Sequence, residues 1–299
     1  MRILEIERHV SVSKVAYGRA GRQLIALADE GFIVWSLETF ERERIWPRGP
    51  RTSLDCLFVP GGKAYLEANG DWMAGEELPE PTFLRSGHRE QIRNFDSVRG
   101  FLCFSHDGQS VLLESYGQPW QSPERIALWD FASVCVRTYP QAGAGRLDHA
   151  AFSPDGTVLA LGYGSYSTKL WDAVSREPIV GLEHTDRVFG VTFSPDGRRL
   201  ATSAGRTVRV WSVPEGKCLH KFRAFRAYSE CVAFSPDGTM LVAGSREGRV
   251  RIWEVESGRE LSDHNWQQGE VADVAFSPDG LTAAAACRKG AVVVWDVDF

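Results

Sequence analysis

The chain has 299 residues, of which 43% are hydrophobic and 24% are charged, and its formal net charge at pH 7 is −5. This hydrophobic content is enough for a continuous buried core. The slightly acidic balance offers no general attraction to nucleic acid or to a membrane surface, and no apolar run approaches the length of a membrane span.

The N-terminal segment alternates charged and apolar residues. Residues Arg2 to Arg8 are predicted to form a strand that has no hairpin partner of its own. The segment contains no apolar core of the kind that signal peptides carry. After it, a first unit of strands is predicted from Val10 to Trp35, with a hairpin turn at Asp29-Glu30-Gly31.

The next two units are irregular. The second has its first turn from Phe58 to Gly62, a tryptophan at Trp72 and a predicted outer strand from Thr82 to Ser86. The third has its turn from Ser105 to Gly108, and its tryptophan is Trp129. The region from residue 45 to 100 departs furthest from a regular pattern, and its role is left open.

From His149 onward the units are regular, and residues Phe193 to Trp211 show the pattern. In Ser194-Pro195-Asp196-Gly197, proline presets φ at the first central position, aspartate bonds its own backbone and glycine takes the position with φ > 0. A returning strand and a β-branched third strand that ends in tryptophan follow. The same Phe-Ser-Pro-Asp-Gly turn stands at four positions, which are Phe152, Phe193, Phe234 and Phe276.

These four turns are spaced by 41, 41 and 42 residues, and weaker copies begin at Tyr17, Phe58 and Phe104. A period in the low forties with four short strands per unit is typical of a propeller blade. The sequence therefore predicts an all-β fold, a seven-bladed β-propeller of four-stranded antiparallel blades. It is a single domain over residues 1–299, with divergent blades from about 10 to 144 and regular blades from about 145 to 299.

Ring closure is predicted from the two chain ends. The last unit, which ends at Trp295, lacks a fourth strand, whereas the first unit has a strand to spare. Pairing of the N-terminal strand, residues 1–9, into the last blade would remove two open sheet edges at once.

The repeated turns and the Trp-Asp pairs at Trp129-Asp130, Trp171-Asp172 and Trp295-Asp296 resemble those of the WD-repeat (WD40) β-propeller family. The resemblance covers essentially the whole chain and implies a ring around a central channel, used as a platform for protein partners. It also implies a buried structural network of His184, Ser203 and Trp211. The strand tryptophans are expected to be structural as well; they are Trp35, Trp129, Trp171, Trp211, Trp253 and Trp295.

The network is incomplete, because the aspartate that the family places in the Ala204-Gly205 turn is missing and Phe225 and Gln267 occupy two of the histidine positions. A Ser-His pair also invites a catalytic interpretation, but burial of His184 as a strut is the favoured one. No catalytic residue, cofactor site or metal site is predicted, since the seven histidines are scattered and the glycines lie in strand turns. The six cysteines form no C-x-x-C pair and favour a reducing, cytoplasmic location.

Candidate binding residues lie on the rim that carries the loops entering the first strands and joining the second and third strands. Residues 116–125 lengthen one such loop, and Tyr116 and Trp120 on it are candidates. The family's interaction positions lie six and four residues before the turn phenylalanine and twelve after it. In this chain they are Arg146, Asp148, Arg187, Phe189, Tyr228, Glu230, Arg246, Glu270 and Arg288.

The predicted function is a non-catalytic scaffold that binds a protein or peptide over the channel mouth. Tyr228, Phe189 and Trp120 are the expected apolar anchors, and Arg187, Arg246 and Arg288 are expected to pair with acidic groups of the partner. Charges of both signs argue against nucleic acid, no membrane is expected, and the chain by itself is expected to be monomeric. The alternatives are a channel-sited enzyme that binds a small molecule or metal, and an architectural subunit that binds through its blade sides.

Overall fold

The computed structural model describes residues 1–6, 10–18, 21–29, 31–47, 56–58, 65–67, 98–105, 110–115, 125–130, 136–139, 147–164 and 166–298. All regular elements in these ranges are β-strands. In chain order they are β1 (Arg2–Glu5), β2 (Val12–Gly18), β3 (Gln23–Ala28), β4 (Gly31–Ser36), β5 (Arg42–Pro47), β6 (Cys56–Phe58), β7 (Tyr65–Glu67), β8 (Val98–Phe104), β9 (Ser110–Ser115), β10 (Arg125–Asp130), β11 (Val136–Tyr139), β12 (Leu147–Phe152) and β13 (Val158–Tyr163).

The second half of the chain continues the pattern without a long interruption. Its strands are β14 (Ser167–Asp172), β15 (Pro178–Glu183), β16 (Val188–Phe193), β17 (Arg199–Ala204), β18 (Thr207–Ser212), β19 (Cys218–Phe222), β20 (Ser229–Phe234), β21 (Met240–Ser245), β22 (Arg249–Glu254), β23 (Glu260–Asn265), β24 (Val271–Phe276), β25 (Thr282–Cys287) and β26 (Ala291–Asp296).

The described strands form six four-stranded antiparallel sheets and one two-stranded sheet. We number them along the chain: sheet 1 is β2–β5, sheet 2 is β6–β7, sheet 3 is β8–β11, sheet 4 is β12–β15, sheet 5 is β16–β19 and sheet 6 is β20–β23. Sheet 7 contains β24, β25, β26 and, as its fourth strand, β1. The all-β architecture expected from the repeats is confirmed. The predicted turn from Phe58 to Gly62, Trp72 and the strand from Thr82 to Ser86 lie wholly or mostly outside the described residues.

The first strands lie innermost and the fourth strands outermost. Strands β8, β12, β16, β20, β24 and β2 contact one another in that series. The fourth strands β15, β19 and β23 are instead half-buried or exposed along most of their length. Second strands are sandwiched between neighbouring strands and sheets, and Leu200 to Ala204 are accordingly all buried.

From sheet 3 onward, each sheet shares an apolar core with the next in the described part of the chain. Sheets 3 and 4 pack around Leu112, Ile126 and Trp171, and sheets 4 and 5 around Leu170 and Trp211. Further clusters join sheet 5 to 6, sheet 6 to 7 and sheet 7 to 1. The core is therefore a series of sheet-to-sheet interfaces, each with aliphatic and aromatic side chains from both partners.

The turn that repeats in sheets 4 to 7 is built in the same way each time. In sheet 4 the Ser153 hydroxyl donates to Asp155 Oδ1 (2.6 Å), and its oxygen accepts from the Val158 N–H (2.8 Å). The bonds from Ser153 and from Thr157 lower the pKa of the Asp155 carboxyl. The glycine that closes each turn has φ between +70° and +74°, at Gly156, Gly197, Gly238 and Gly280. The predicted turn mechanism is confirmed.

Strand β1 pairs antiparallel with β26, with Arg2 opposite Val294 and Glu5 opposite Ala291. Beyond the strand, the Ile6 N–H donates to the Gly290 carbonyl (2.8 Å). The predicted pairing of the N-terminal strand with the last sheet is thus present, over a shorter strand than the predicted residues 1–9, of which 7–9 lie outside the described ranges. Leu4 faces the core between sheets 7 and 1, whereas Ile3 is 37% exposed.

This difference gives a test of the contribution of β1. Leu4→Asp should lower the free energy of unfolding by more than about 2 kcal/mol, because it buries a carboxylate in the apolar interface between sheets 7 and 1. Ile3→Asp, on the solvent side of the same strand, should change it by less than about 0.5 kcal/mol. Denaturant titration measures both, and equal effects would mean that β1 does not seal this interface in solution.

Candidate functional site

The first strands carry a bulge at the same place in sheets 4, 5 and 6. In sheet 5, Val188 pairs with Ala204 but Gly190 pairs with Ser203, so that Phe189 is the extra residue. The extra residues of sheets 4 and 6 are Asp148 and Glu230. A bulge breaks the alternation of a strand and redirects the side chain. All three are predicted binding residues, and all three lie where the first strand begins.

We call this end of the sheets the top rim; it holds the loops that enter the first strands and the turns between second and third strands. Backbone hydrogen bonds join the two. The Gly205 N–H donates to the Arg187 carbonyl (3.0 Å), and the Arg246 N–H donates to the Tyr228 carbonyl (3.0 Å). The Arg288 N–H binds the Glu270 carbonyl in sheet 7 in the same way (2.9 Å). In each of these three sheets, the turn between the second and third strands is therefore hydrogen-bonded to the loop that enters the first strand.

Phe189 and Tyr228, from neighbouring sheets 5 and 6, stack on each other. Their ring centroids are 5.4 Å apart and their planes are inclined by 29°. The Arg246 guanidinium carbon lies 5.3 Å from the Phe189 centroid and 5.2 Å from the Tyr228 centroid, and that of Arg187 lies 5.5 Å from Phe189. We call these four residues the rim cluster. Tyr228 remains 38% exposed, so part of the aromatic surface faces solvent.

The arginines of the rim cluster bind carboxylates of this chain. Arg187 Nε lies 3.0 Å from Asp148 Oδ2, across the boundary between sheets 5 and 4, and Arg246 Nε is bonded to Glu230 within sheet 6. The Asp148 and Glu230 side chains are only 5% and 11% exposed, whereas their arginines are 49% and 42% exposed. Such partly buried pairs fix the geometry of the side chains that form them.

This corrects one expectation. Arg187, Arg246 and Arg288 were expected to pair with acidic groups of a partner, but each already has a carboxylate beside it; for Arg288 it is Glu270, with Nε and Oε2 3.3 Å apart. The reason is positional. The turns that carry Arg246 and Arg288 lie beside the start of the first strand of their own sheet, and Arg187, in the loop that enters β16, lies beside the bulge residue of sheet 4. Arg187 and Arg246 lie over the aromatic rings, and all three guanidinium groups have a carboxylate of this chain beside them.

Of the predicted binding residues, the structure brings six together: Asp148, Arg187, Phe189, Tyr228, Glu230 and Arg246. Glu270 and Arg288 form a separate pair on sheet 7. Tyr116, Trp120 and Arg146 lie outside the described residues. Sequence reasoning missed three exposed rim arginines, Arg206, Arg223 and Arg226, since they do not occupy the family's interaction positions, although they lie in loops that the repeat assigns to this rim.

His184 is buried between sheets 4 and 5. Arg209 NH1 donates to its Nδ1 (3.0 Å), which leaves the Nε2 proton for the Thr168 hydroxyl (3.1 Å). Burial, and then the positive charge of Arg209, lower the pKa of His184 to about 3. The imidazole also meets Trp211 edge to face at 5.4 Å. This neutral imidazole has a hydrogen-bond partner at each nitrogen, and its role is structural.

Phe225 fills the corresponding place in the next repeat. It lies edge to face against Trp253 at 6.4 Å, and the Arg251 guanidinium carbon lies 5.7 Å from its ring centroid. His184 and Phe225 thus have equivalent tryptophan and arginine neighbours, each in its own repeat. This indicates that the position serves packing rather than chemistry.

Ser203 was expected to belong to this network, but it does not. The hydroxyl that accepts the Trp211 indole N–H is that of Thr202 (2.9 Å). Trp211 lies opposite Leu200 in the ladder, and because strand side chains alternate, Thr202 shares its face while Ser203 points to the other. The Ser203 hydroxyl has no hydrogen-bond partner in the described part of the chain and lies against Gly190.

The strand tryptophans lie in the core, as expected. Their exposed fractions are 2% for Trp35, 2% for Trp171, 7% for Trp211, 3% for Trp253 and 4% for Trp295. Trp129 lies in β10, and its side chain is outside the described set.

The inner strands also carry ionisable groups. Asp273 accepts a hydrogen bond from the Val15 N–H (3.1 Å), which ties sheet 7 to sheet 1, and burial raises the pKa of its carboxyl. Among the described residues, no three His, Cys, Asp or Glu side chains are grouped so that they could hold a metal ion. Nor does this part of the chain contain a helix with the length and apolar character needed to cross a membrane.

Comparison with known proteins agrees with this architecture. The family model described as "WD domain, G-beta repeat" matches residues 177–212, 216–254 and 256–296, which cover the last three repeated units. These three units are WD repeats. Proteins of this family generally act as platforms for protein interactions.

Several curated proteins are similar to this WD-repeat chain. An uncharacterized WD repeat-containing protein of Synechocystis is 28% identical over 194 residues, which are 64% of this chain and 53% of that protein. WD repeat and SOCS box-containing protein 1 of Xenopus tropicalis is 36% identical over 30% of this chain and 22% of its own length. Small ribosomal subunit protein RACK1 of Drosophila melanogaster is 26% identical over 54% of this chain and 51% of its own. The chain thus spans about half, or less, of these relatives.

Truncation of a core tryptophan tests the packing. Trp211→Ala should destabilise the protein by about 3–5 kcal/mol, because it empties the interface between sheets 4 and 5 and removes a partner of Thr202. Tyr166→Ala is the matched control; Tyr166 is 53% exposed, so the expected loss is below about 1 kcal/mol. Denaturant titration decides, and a loss below about 1 kcal/mol for Trp211→Ala would contradict its burial.

The depressed pKa of His184 predicts a pH effect on stability. The unfolded chain binds a proton at His184 near its ordinary pKa of 6.5, whereas the native state does so only near about 3. Stability supplied by the neutral imidazole is therefore present above pH 6.5 and is lost as pH falls, by up to about 1.4 kcal/mol per pH unit. His184→Phe, which copies Phe225, should flatten the dependence of the free energy of unfolding on pH between 6.5 and 5. An unchanged slope would exclude His184 as its source.

Proposed function

We propose that the chain is a non-catalytic scaffold that binds a protein or peptide partner on the top rim, at the rim cluster. The observation that carries this proposal is the stacked Phe189–Tyr228 pair, which is partly exposed yet held by two arginines with their own carboxylates. Aromatic and arginine side chains are the groups most enriched at the centres of protein interfaces.

We further propose that the sheets are the blades of a seven-bladed ring. The series of first-strand contacts runs from β6 through β8, β12, β16, β20 and β24 to β2, which supports a circular arrangement. The β1–β26 pairing supports closure, because it completes the last sheet with the first strand of the chain. A ring of this kind presents the loops of all blades around one axis.

The site is suited to binding because little of it needs to be ordered. Phe189 stands on a bulge, its ring stacks on that of Tyr228, and both arginines are restrained by carboxylates that are almost buried. Side chains that are already immobile lose little conformational entropy when a partner docks. A partner that contributes an apolar residue would cover the exposed part of Tyr228.

The charges and cysteines of the chain bear on its class of partner and its location. Carboxylates at Asp148 and Glu230 stand within the site and, with the net charge of −5, favour a protein over a nucleic acid or an anionic membrane. A reducing, cytoplasmic location is favoured because four described cysteines are free, and burial raises the pKa of the Cys287 thiol to about 12. The chain by itself is proposed to be monomeric.

The proposal is tested by capturing partners from source-cell extract with three forms of the protein as baits. The first is wild type, and the second carries Phe189→Ala and Tyr228→Ala, which remove the aromatic surface but leave both ion pairs. The third is the matched control, with Val174→Ala and Leu281→Ala. Those two side chains are 72% and 65% exposed and lie at the opposite end of the sheets.

A partner that is held by wild type and by the control but lost by the Phe189/Tyr228 variant would establish the rim cluster as the binding site. A partner that all three forms retain equally would place the interface on the blade sides, as expected for an architectural subunit. A stoichiometric small molecule or metal that copurifies with the protein would favour the channel-sited enzyme instead.

A further inference from the structure

Three exposed arginines on the top rim have no side-chain partner among the described residues. Arg206 lies in the turn between β17 and β18, and Arg223 and Arg226 lie in the loop from β19 to β20. No described carboxylate forms an ion pair with any of them, whereas the rim arginines at 187, 246 and 288 are each paired. A guanidinium is more weakly hydrated than an ammonium group, so one without a partner is available to a ligand at a low desolvation cost.

The backbone brings these three arginines to the rim cluster. The Arg206 carbonyl accepts hydrogen bonds from the Ala224 N–H (3.1 Å) and the Phe225 N–H (3.4 Å), and the Gly205 carbonyl accepts from the Ser229 N–H (2.7 Å). The turn of sheet 5 is thus tied to the loop that leads into sheet 6. That loop carries Arg223 and Arg226 and ends at Tyr228.

Two other carboxylates near these arginines accept hydrogen bonds from backbone N–H groups. Glu247 Oε1 accepts the Arg226 N–H (3.2 Å), and Asp186 Oδ1 accepts the Arg187 N–H (2.8 Å). Asp148 and Glu230 are bound to the rim-cluster arginines. What this sector offers to a ligand is therefore an apolar surface flanked by three uncommitted positive charges, in a protein whose net charge is −5.

We infer that the partner reaches this site through an acidic peptide segment that also carries an aromatic or aliphatic residue. The apolar residue packs on Phe189 and Tyr228, and Asp or Glu side chains of the segment bind Arg206, Arg223 and Arg226. The planar guanidinium fork matches a carboxylate bidentately. This inference rests on the proposed function, because it assigns the chemistry of the partner at the same site.

Single-stranded RNA is the competing ligand, since bases stack on aromatic rings and phosphates bind arginine. It fits less well. A phosphate follows every nucleotide, so the backbone would pass the carboxylates of Asp148, Glu230 and Glu247. A peptide can place its negative charges only where the three arginines stand and present neutral residues elsewhere.

The test is selection of a random library of peptides of about twelve residues on the full-length protein, followed by affinity measurements with the enriched peptides. The selected pool is expected to be rich in Asp and Glu around an aromatic or aliphatic residue. The triple variant Arg206→Glu, Arg223→Glu and Arg226→Glu should weaken binding of these peptides by at least about tenfold. Added salt should weaken wild-type binding as well.

The matched control has the same change of charge at the opposite end of the sheets, through Arg198→Glu, Lys217→Glu and Arg259→Glu. It should bind the selected peptides as wild type does. The Phe189→Ala, Tyr228→Ala variant separates the two levels of the proposal. Peptides that need the aromatic pair but carry no excess of acidic residues, or that the triple variant binds normally, overturn the inference and leave the proposed function standing.

Two further outcomes are decisive. Selected peptides that bind both variants like wild type overturn the proposed function together with the inference, and so does a library that yields no binder. A single-stranded oligouridine probe that binds more tightly than every selected peptide, and that the triple variant no longer binds, assigns the three arginines to RNA and overturns the acidic-peptide inference.

Discussion

The constraint on which this structure depends is that a four-stranded sheet buries its apolar faces only against its neighbours. Each described core cluster, such as the one that contains Trp211, takes side chains from two adjacent sheets. No sheet is expected to be stable alone in this arrangement, because a repeat of this kind buries its apolar side chains against its neighbours. The hydrogen bond that the Val15 N–H of sheet 1 donates to Asp273 of sheet 7 extends the same coupling to the two ends of the chain.

Sheet-to-sheet packing also explains why the candidate site is rigid. Phe189 belongs to sheet 5 and Tyr228 to the loop that enters sheet 6, so their stacking is an inter-sheet contact like those of the core, continued to the solvent. Arg187 reaches Asp148 across the preceding boundary. The surface of the rim is thus an extension of the packing beneath it, and a partner would meet side chains whose positions the core already determines.

Much of this could be predicted from the sequence, because the repeat carries local chemistry. The Ser-Pro-Asp-Gly turn determines its own backbone, and the period places Trp211 and its counterparts inside the core. The repeat could not show which hydroxyl accepts the indole N–H of Trp211. Thr202 and Ser203 are neighbouring hydroxyl residues that point to opposite faces of the sheet. It also could not show that Arg246 is already paired, because ion pairing depends on a bulge that shifts Glu230 out of the ladder.

Strand β1 has a consequence for the order in which the protein assembles on the ribosome. Among the described strands it is synthesised first, whereas its partner β26 is synthesised last. Throughout translation, the alternating segment around Leu4 therefore has no native strand with which to pair. Unpaired strand edges of this kind are where nascent chains aggregate or bind chaperones. The charged residues Arg2 and Glu5 flank the apolar Ile3 and Leu4, a pattern that lowers the tendency of an unpaired strand to aggregate.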